Sequence, residues 1–153
     1  MATRLVVCCM LLFSIAAKGQ NFSAQLIPIQ ENSPRYISHL EVHTAAELNQ
    51  LLLRAEKLFD SGEFMAGVDT PVAFVLHGPE VLSLLKVNYA AHKSLVDLAA
   101  RLSAFRVVDI KVCRTWMGVH NVDDSQLPPF ISTVPFGPDE TTRLMEKEKY
   151  VYF

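Results

Sequence analysis

The sequence predicts an α/β fold: three α/β/α layers built on a five-stranded, mostly parallel sheet. Three observations lead there. Val72-Ala73-Phe74-Val75-Leu76 is a continuous apolar run of strand length, the pattern of a strand buried on both faces. Strand-like and helix-like segments alternate from Tyr36 to the last residue. The intervening segments are long enough for right-handed crossovers between parallel strands. With 153 residues, 50% hydrophobic and 20% charged, the chain can build one ordinary core and is not a disordered sequence.

Residues 1–19 read as a secretory leader. Arg4 supplies the positive start, Leu5 to Ala17 is apolar apart from Ser14, and Ala17-Lys18-Gly19 offers small residues for a cut before Gln20. Cutting after Ala16 is the alternative, and an uncleaved anchor is the competing reading of the segment. The apolar stretch is too short to cross a bilayer, so no stable membrane span is expected. The localisation predicted is periplasmic or secreted. The leader holds Arg4, Lys18, Cys8 and Cys9. The remainder therefore carries 12 basic and 16 acidic residues, a charge of −4, and a single thiol, Cys113. That charge gives no case for nucleic acid as a partner. One thiol gives no internal disulfide framework. Residues 20–35, with Pro28 and Pro34, read as an extended arm, and Asn21-Phe22-Ser23 fits an N-glycosylation acceptor. Residues 36–153 form the α/β domain.

Within that domain, Tyr36 to Val42 alternates in period two, with His39, Glu41 and His43 on one face. Thr44 and Glu47 match a capping box, and the helix they open carries Leu48, Leu51, Ala55 and Leu58 on one stripe until Ser61-Gly62 stops it. After the strand at 72–76, His77-Gly78-Pro79 starts a helix that runs to about Ser103, with a break near Asn88 and a stripe of Ala91, Leu95, Leu98 and Leu102. Arg106 to Val112 is the third strand and ends at Cys113. Asp123 and Asp124 cap a short helix that Pro128-Pro129 must end. Ile131 to Val134 is the fourth strand. Gly137-Pro138-Asp139-Glu140 opens the last helix, with acids at its start and Lys147 near its end. Tyr150 to Phe153 is the fifth strand.

Ligands of open parallel sheets bind beyond the carboxyl ends of the strands. His77 and Cys113 both fall there, joined by one crossover and so on one edge; Asn88 can face the same edge. Lys111 and Arg114 flank Cys113 with positive charge, and Thr115 can cap a helical turn beside it. Cations and helix N-termini favour thiolates, so Cys113 is a candidate nucleophile. The opposite reading, a small buried apolar residue, stands beside it. A Cys113–His77 hydrolase would need an orienting third group and an oxyanion hole, and the sequence shows neither. Of the metal readings, His39 and His43 lie about 13 Å apart on a strand, too far to share an ion, which leaves His39 with Glu41 as the one pair; a solvated face is the expectation, and no metal or cofactor is expected.

The stretch from Phe74 through His77-Gly78-Pro79, the strand Val108-Asp109-Ile110-Lys111-Val112-Cys113, Leu127-Pro128-Pro129-Phe130, Val134-Pro135-Phe136-Gly137 and Tyr150-Val151-Tyr152 together resemble the DsrE/DsrF-like family. These are small α/β/α proteins of sulfur relay and intracellular sulfur oxidation. The resemblance runs from about Val72 to Phe153 and is architectural only from Tyr36 to Thr70. It implies that Cys113 is the strand-end cysteine, carrying sulfane sulfur as a persulfide and passing it to an acceptor thiol. His77, Gly78, Asn88, Arg114 and Thr115 would line the pocket, with His77 as proton carrier. It also implies a homo-oligomer, trimer or hexamer, and a thiol-bearing protein as sulfur donor or acceptor. The alternative function is a non-catalytic exported binding or assembly domain in which Cys113 is structural.

Overall fold

The computed structural model describes residues 34–153; the leader at 1–19, the glycosylation acceptor at Asn21 and all but the end of the arm lie outside the described residues. The sheet has five strands: β1 (Tyr36–Ile37), β2 (Val72–Leu76), β3 (Val108–Cys113), β4 (Ile131–Val134) and β5 (Val151–Tyr152). Their spatial order is β4-β3-β2-β1-β5 and every pair is parallel. The predicted α/β class with helices on both faces is the observed one.

The four helices are α1 (Ala45–Asp60), α2 (Lys93–Ala104), α3 (Arg114–Val119) and α4 (Gly137–Lys147). From β1 to β4 each crossover steps the same way, so the right-handed rule puts α1, α2 and α3 on one face. The step from β4 back to β5 runs the other way and puts α4 on the opposite face. The packing divides accordingly. Leu48, Leu52, Ala55, Leu95, Ala99 and Leu102 of α1 and α2 bury Phe74, Leu76, Ile110 and Val112. On the second face Leu144 of α4 covers Ile37, Ala73 and Val75, with Tyr150 beside it. Strand alternation links the two: even positions of β2 and β3 face α1 and α2, and odd positions face α4.

Three local expectations are corrected. The first strand stops at Ile37 rather than Val42. Beyond it the Glu47 carboxylate, not a neighbouring strand, accepts the N–H groups of Glu41 (2.7 Å), Val42 (3.1 Å) and His43 (2.8 Å). A side chain has taken the donors a ladder would have used. His43 sits at φ 56°, so His39, Glu41 and His43 share no strand face. The segment after Pro79 is not one broken helix but two 3₁₀ pieces, Pro79–Leu84 and Lys86–Asn88, before α2. The buried stripe of α2 is consequently Leu95, Val96, Ala99 and Leu102, and Ala91 is exposed ahead of it. The third strand begins at Val108, because Arg106 turns the chain at φ 58°.

Candidate functional site

The register of β2 and β3 builds the site. Leu76 pairs with Val112, so the next pair outward sets His77 beside Cys113 at the carboxyl edge of the sheet. Cys113 also pairs with Val134 of β4. Cys113 follows Asp109 and Lys111 on the face that α4 covers. The connection Pro135-Phe136 then brings Gly137, the first residue of α4, directly over the row. A Cβ placed on Gly137 would stand 3.2 Å from His77 Cβ and 3.3 Å from Cys113 Cβ. A side chain there would press on both residues. Cys113 is 2% exposed beneath it. His77 is half-buried.

Behind His77 lies a group that the sequence reading did not find. Glu80 has no solvent exposure. Its Oε1 accepts hydrogen bonds from the backbone N–H of His77 and of Gly78, both at 3.0 Å. Its Oε2 lies 3.0 Å from Nδ1 of His43. A buried carboxylate is costly without such partners, and here both oxygens are engaged. The His43 ring in turn packs against the His77 ring, centroids 4.7 Å apart and tilted by 54°. Gly78 makes room for this. A Cβ there would meet Glu80 Oε2 at 2.6 Å and His43 Cγ at 2.6 Å. The row thus reads Glu80, His43, His77, Cys113, with the His43 side chain 25% exposed and Cys113 enclosed.

His43 is held from the other side by Glu47. Burial works against the charge on Glu47, but the backbone N–H groups of Glu41, Val42 and His43 outweigh it and hold the carboxyl below its ordinary range. The Thr44 hydroxyl accepts from Glu47 N–H at 3.2 Å, so the predicted capping box is half formed and its acid is diverted to the loop.

The expected positive flank is occupied by carboxylates. Lys111 Nζ lies 3.2 Å from both Asp109 and Glu140. Burial would lower its pKa, and those two acids reverse the effect and raise it. Arg114 pairs with Asp124 at 2.7 Å and donates from Nε to Thr133 Oγ1 at 2.8 Å. Thr115 does not cap; Cys113 itself stands at the N-cap position of α3. The Thr115 N–H and hydroxyl both donate to Pro135 O, at 3.2 and 2.9 Å, which ties the roof loop to α3. Asn88 donates its amide to Leu82 O at 2.8 Å and fastens the 3₁₀ segments rather than joining Cys113 or His77. Of the predicted site residues, His77, Gly78 and Cys113 come together; Arg114, Thr115 and Asn88 are committed to other partners. Among the described residues no three His, Cys, Asp or Glu side chains converge as a metal site, and no helix is long and apolar enough to cross a membrane.

No family model and no curated protein matches the chain. Among solved structures it is similar to a protein of unknown function from Methanobacterium thermoautotrophicum, at 16% identity and a TM-score of 0.58. The match covers 79% of this chain and 98% of that one, and what the two share is the fold.

Proposed function

We propose that this is an exported sulfur-handling protein of the DsrE/DsrF-like kind, carrying sulfane sulfur on Cys113. The observation that carries the reading is the convergence of His77 and Cys113 under the first residue of an 11-residue helix at the carboxyl edge of a parallel sheet. That edge is where such folds bind ligands, and the first turn of a helix favours negative charge on sulfur. The chemistry is thiol exchange. The Cys113 thiolate attacks the outer sulfur of a donor persulfide, the donor S–S bond breaks, and the donor leaves as a thiolate. Cys113 then holds a persulfide, which an acceptor thiolate attacks in the same way. One sulfur moves at constant oxidation level, so no external oxidant is required.

A second reading, a non-catalytic binding or assembly domain, is favoured by the 2% exposure of Cys113 and by an apolar cleft of about 410 Å³ elsewhere, lined by Leu84, Val96, Pro129 and Phe130. One experiment separates the two. The protein is treated with polysulfide and its intact mass is read before and after a reductant. A reducible gain of one sulfur that is lost in Cys113→Ser supports the carrier. No gain, with Cys113 alkylated only as fast as the protein unfolds, supports the binding domain.

A further inference from the structure

We propose that His43, oriented by Glu80, is the proton acceptor of this site and deprotonates the thiol that collects sulfur from Cys113. The inference rests on the carrier reading and goes past it. His77 was the proton carrier that the sequence offered; the geometry points one residue further out.

Glu80 is wholly buried and accepts two backbone N–H groups on Oε1. Its Oε2 lies 3.0 Å from Nδ1 of His43. Taken as a carboxylate, Glu80 is an acceptor, which assigns the hydrogen to Nδ1 and leaves Nε2 its lone pair. The same contact supplies a negative partner for the imidazolium that forms when Nε2 takes a proton. This is the orienting logic of carboxylate–imidazole pairs that act as general bases. Among the described residues the His77 ring has no such partner: its backbone N–H, not its ring, binds Glu80. Solvent reaches the His43 side chain, which is 25% exposed, while Cys113 is closed off. The backbone at φ 56° holds the ring in place, at a conformation that a non-glycine residue adopts at a cost. The charged and titratable groups facing His43 are Glu80 from the 3₁₀ segment, His77 from the end of β2 and Glu47 from α1, the last on its backbone N–H.

The step balances. An acceptor R–SH gives its proton to His43 Nε2. The resulting thiolate attacks the outer sulfur of the protonated Cys113 persulfide. The S–S bond to Cys113 breaks, Cys113 leaves as a thiolate, and R–S–SH departs. His43 holds the proton that balances the Cys113 charge. Glu80 is a positioning residue here, since it acts through His43.

The test uses protein loaded with polysulfide, and cysteine as the acceptor. Loss of the added sulfur is followed by intact mass at pH 7 and pH 9.5. Glu80→Gln keeps an oxygen for the His77 and Gly78 N–H groups and turns an amide donor toward His43, which reverses the tautomer. His43→Asn removes the base while tolerating the left-handed backbone. Both variants are expected to transfer about tenfold more slowly at pH 7, because an unassisted thiol of pKa about 8.5 is only a few per cent ionised there. At pH 9.5 the acceptor ionises unaided and both are expected to match the wild type. A purely structural defect would persist at high pH. Wild-type rates at pH 7, or a deficit equal at both pH values, overturn the inference and leave the carrier reading standing. A wild-type protein that takes up no sulfur overturns both. Should neither variant fold, ¹⁵N NMR of the wild-type His43 ring decides: the Nδ1–H form is expected, and the Nε2–H form overturns the inference.

Discussion

Gly78→Ala is the sharpest probe of the site's packing. The backbone of Gly78, at φ −138° and ψ −170°, is one that alanine adopts freely, so any cost comes from contact alone. An alanine Cβ would stand 2.6 Å from His43 Cγ, 2.7 Å from His43 Cβ and 2.6 Å from Glu80 Oε2. Ordinary carbon contacts lie near 3.5–4.0 Å, so His43 must withdraw by about 1 Å. The atoms in the way are the root of the ring, next to a backbone that Glu47 clamps, and cannot swing aside like the end of a long side chain. Withdrawal stretches the 3.0 Å His43–Glu80 contact past hydrogen-bond range. Overpacking costs about 1–3 kcal/mol, and a buried carboxylate losing a partner costs about 1–3 kcal/mol more. The expected loss is about 3–5 kcal/mol, a large share of a domain's stability, and a fall of about 2 M in the urea midpoint. Gly118→Ala is the matched control, because a Cβ there meets nothing within 4 Å in α3. It is expected to gain about 0.5–1 kcal/mol. Adding His43→Gly to Gly78→Ala removes the obstructing ring and relieves the positive φ, so part of the loss is expected to return. A Gly78→Ala protein that unfolds at the wild-type midpoint would refute the packing of His43 on Gly78, and the row built on it.

Two further outcomes follow from the second face of the sheet. Leu144 is the main fully buried anchor of α4 on Ile37, Ala73 and Val75, so Leu144→Ala is expected to cost about 3 kcal/mol in urea unfolding and to raise alkylation of Cys113 beneath the loosened helix. Glu140 is held below the ordinary carboxylate range, first by Arg143 and also by Lys111. A depressed carboxyl contributes stability that is present above its unfolded pKa and lost as pH falls through the folded one. Glu140→Gln is therefore expected to lower the urea midpoint at pH 7 and to converge with the wild type as pH falls below the ordinary carboxylate range. A difference that grows in acid would contradict the assignment.

The parts of this molecule that were legible in the sequence are those governed by local pattern. The apolar run at 72–76 marks β2, and Gly137-Pro138 with Asp139 and Glu140 marks the start of α4. Strand-end placement brought His77 and Cys113 to one edge, where the register joins them. What failed was contingent on long-range contacts. Period-two alternation placed His43 on a solvated strand because it assumed a ladder partner, whereas the Glu47 carboxylate took that role and φ 56° turned the ring inward. The one signal for Glu80 was an acid in the first turn after a strand-end Gly-Pro, where a carboxylate can reach back to free N–H groups. Lys111 and Arg114 were read as the thiolate's cations from adjacency along the chain. Adjacency says nothing of Glu140, which is 29 residues away in sequence and 3.2 Å away in space from Lys111.

The topology explains why the site stands at β2 and β3 rather than at the β1–β5 boundary, where the strand order reverses. The chain leaves β4 at one edge of the sheet and must return to β5 at the other. Its helix therefore crosses β3, β2 and β1 on a face that no other helix of the domain covers, and the first turn of α4 falls over the carboxyl ends of β3 and β2. A helix start over strand ends brings unpaired N–H groups to the place where β strands release their side chains. Cys113 is buried here, with the glycine that opens α4 close against it. On the carrier reading, a sulfur atom added to Cys113 must find room beneath the first turn of α4, whose hold on the sheet rests largely on Leu144.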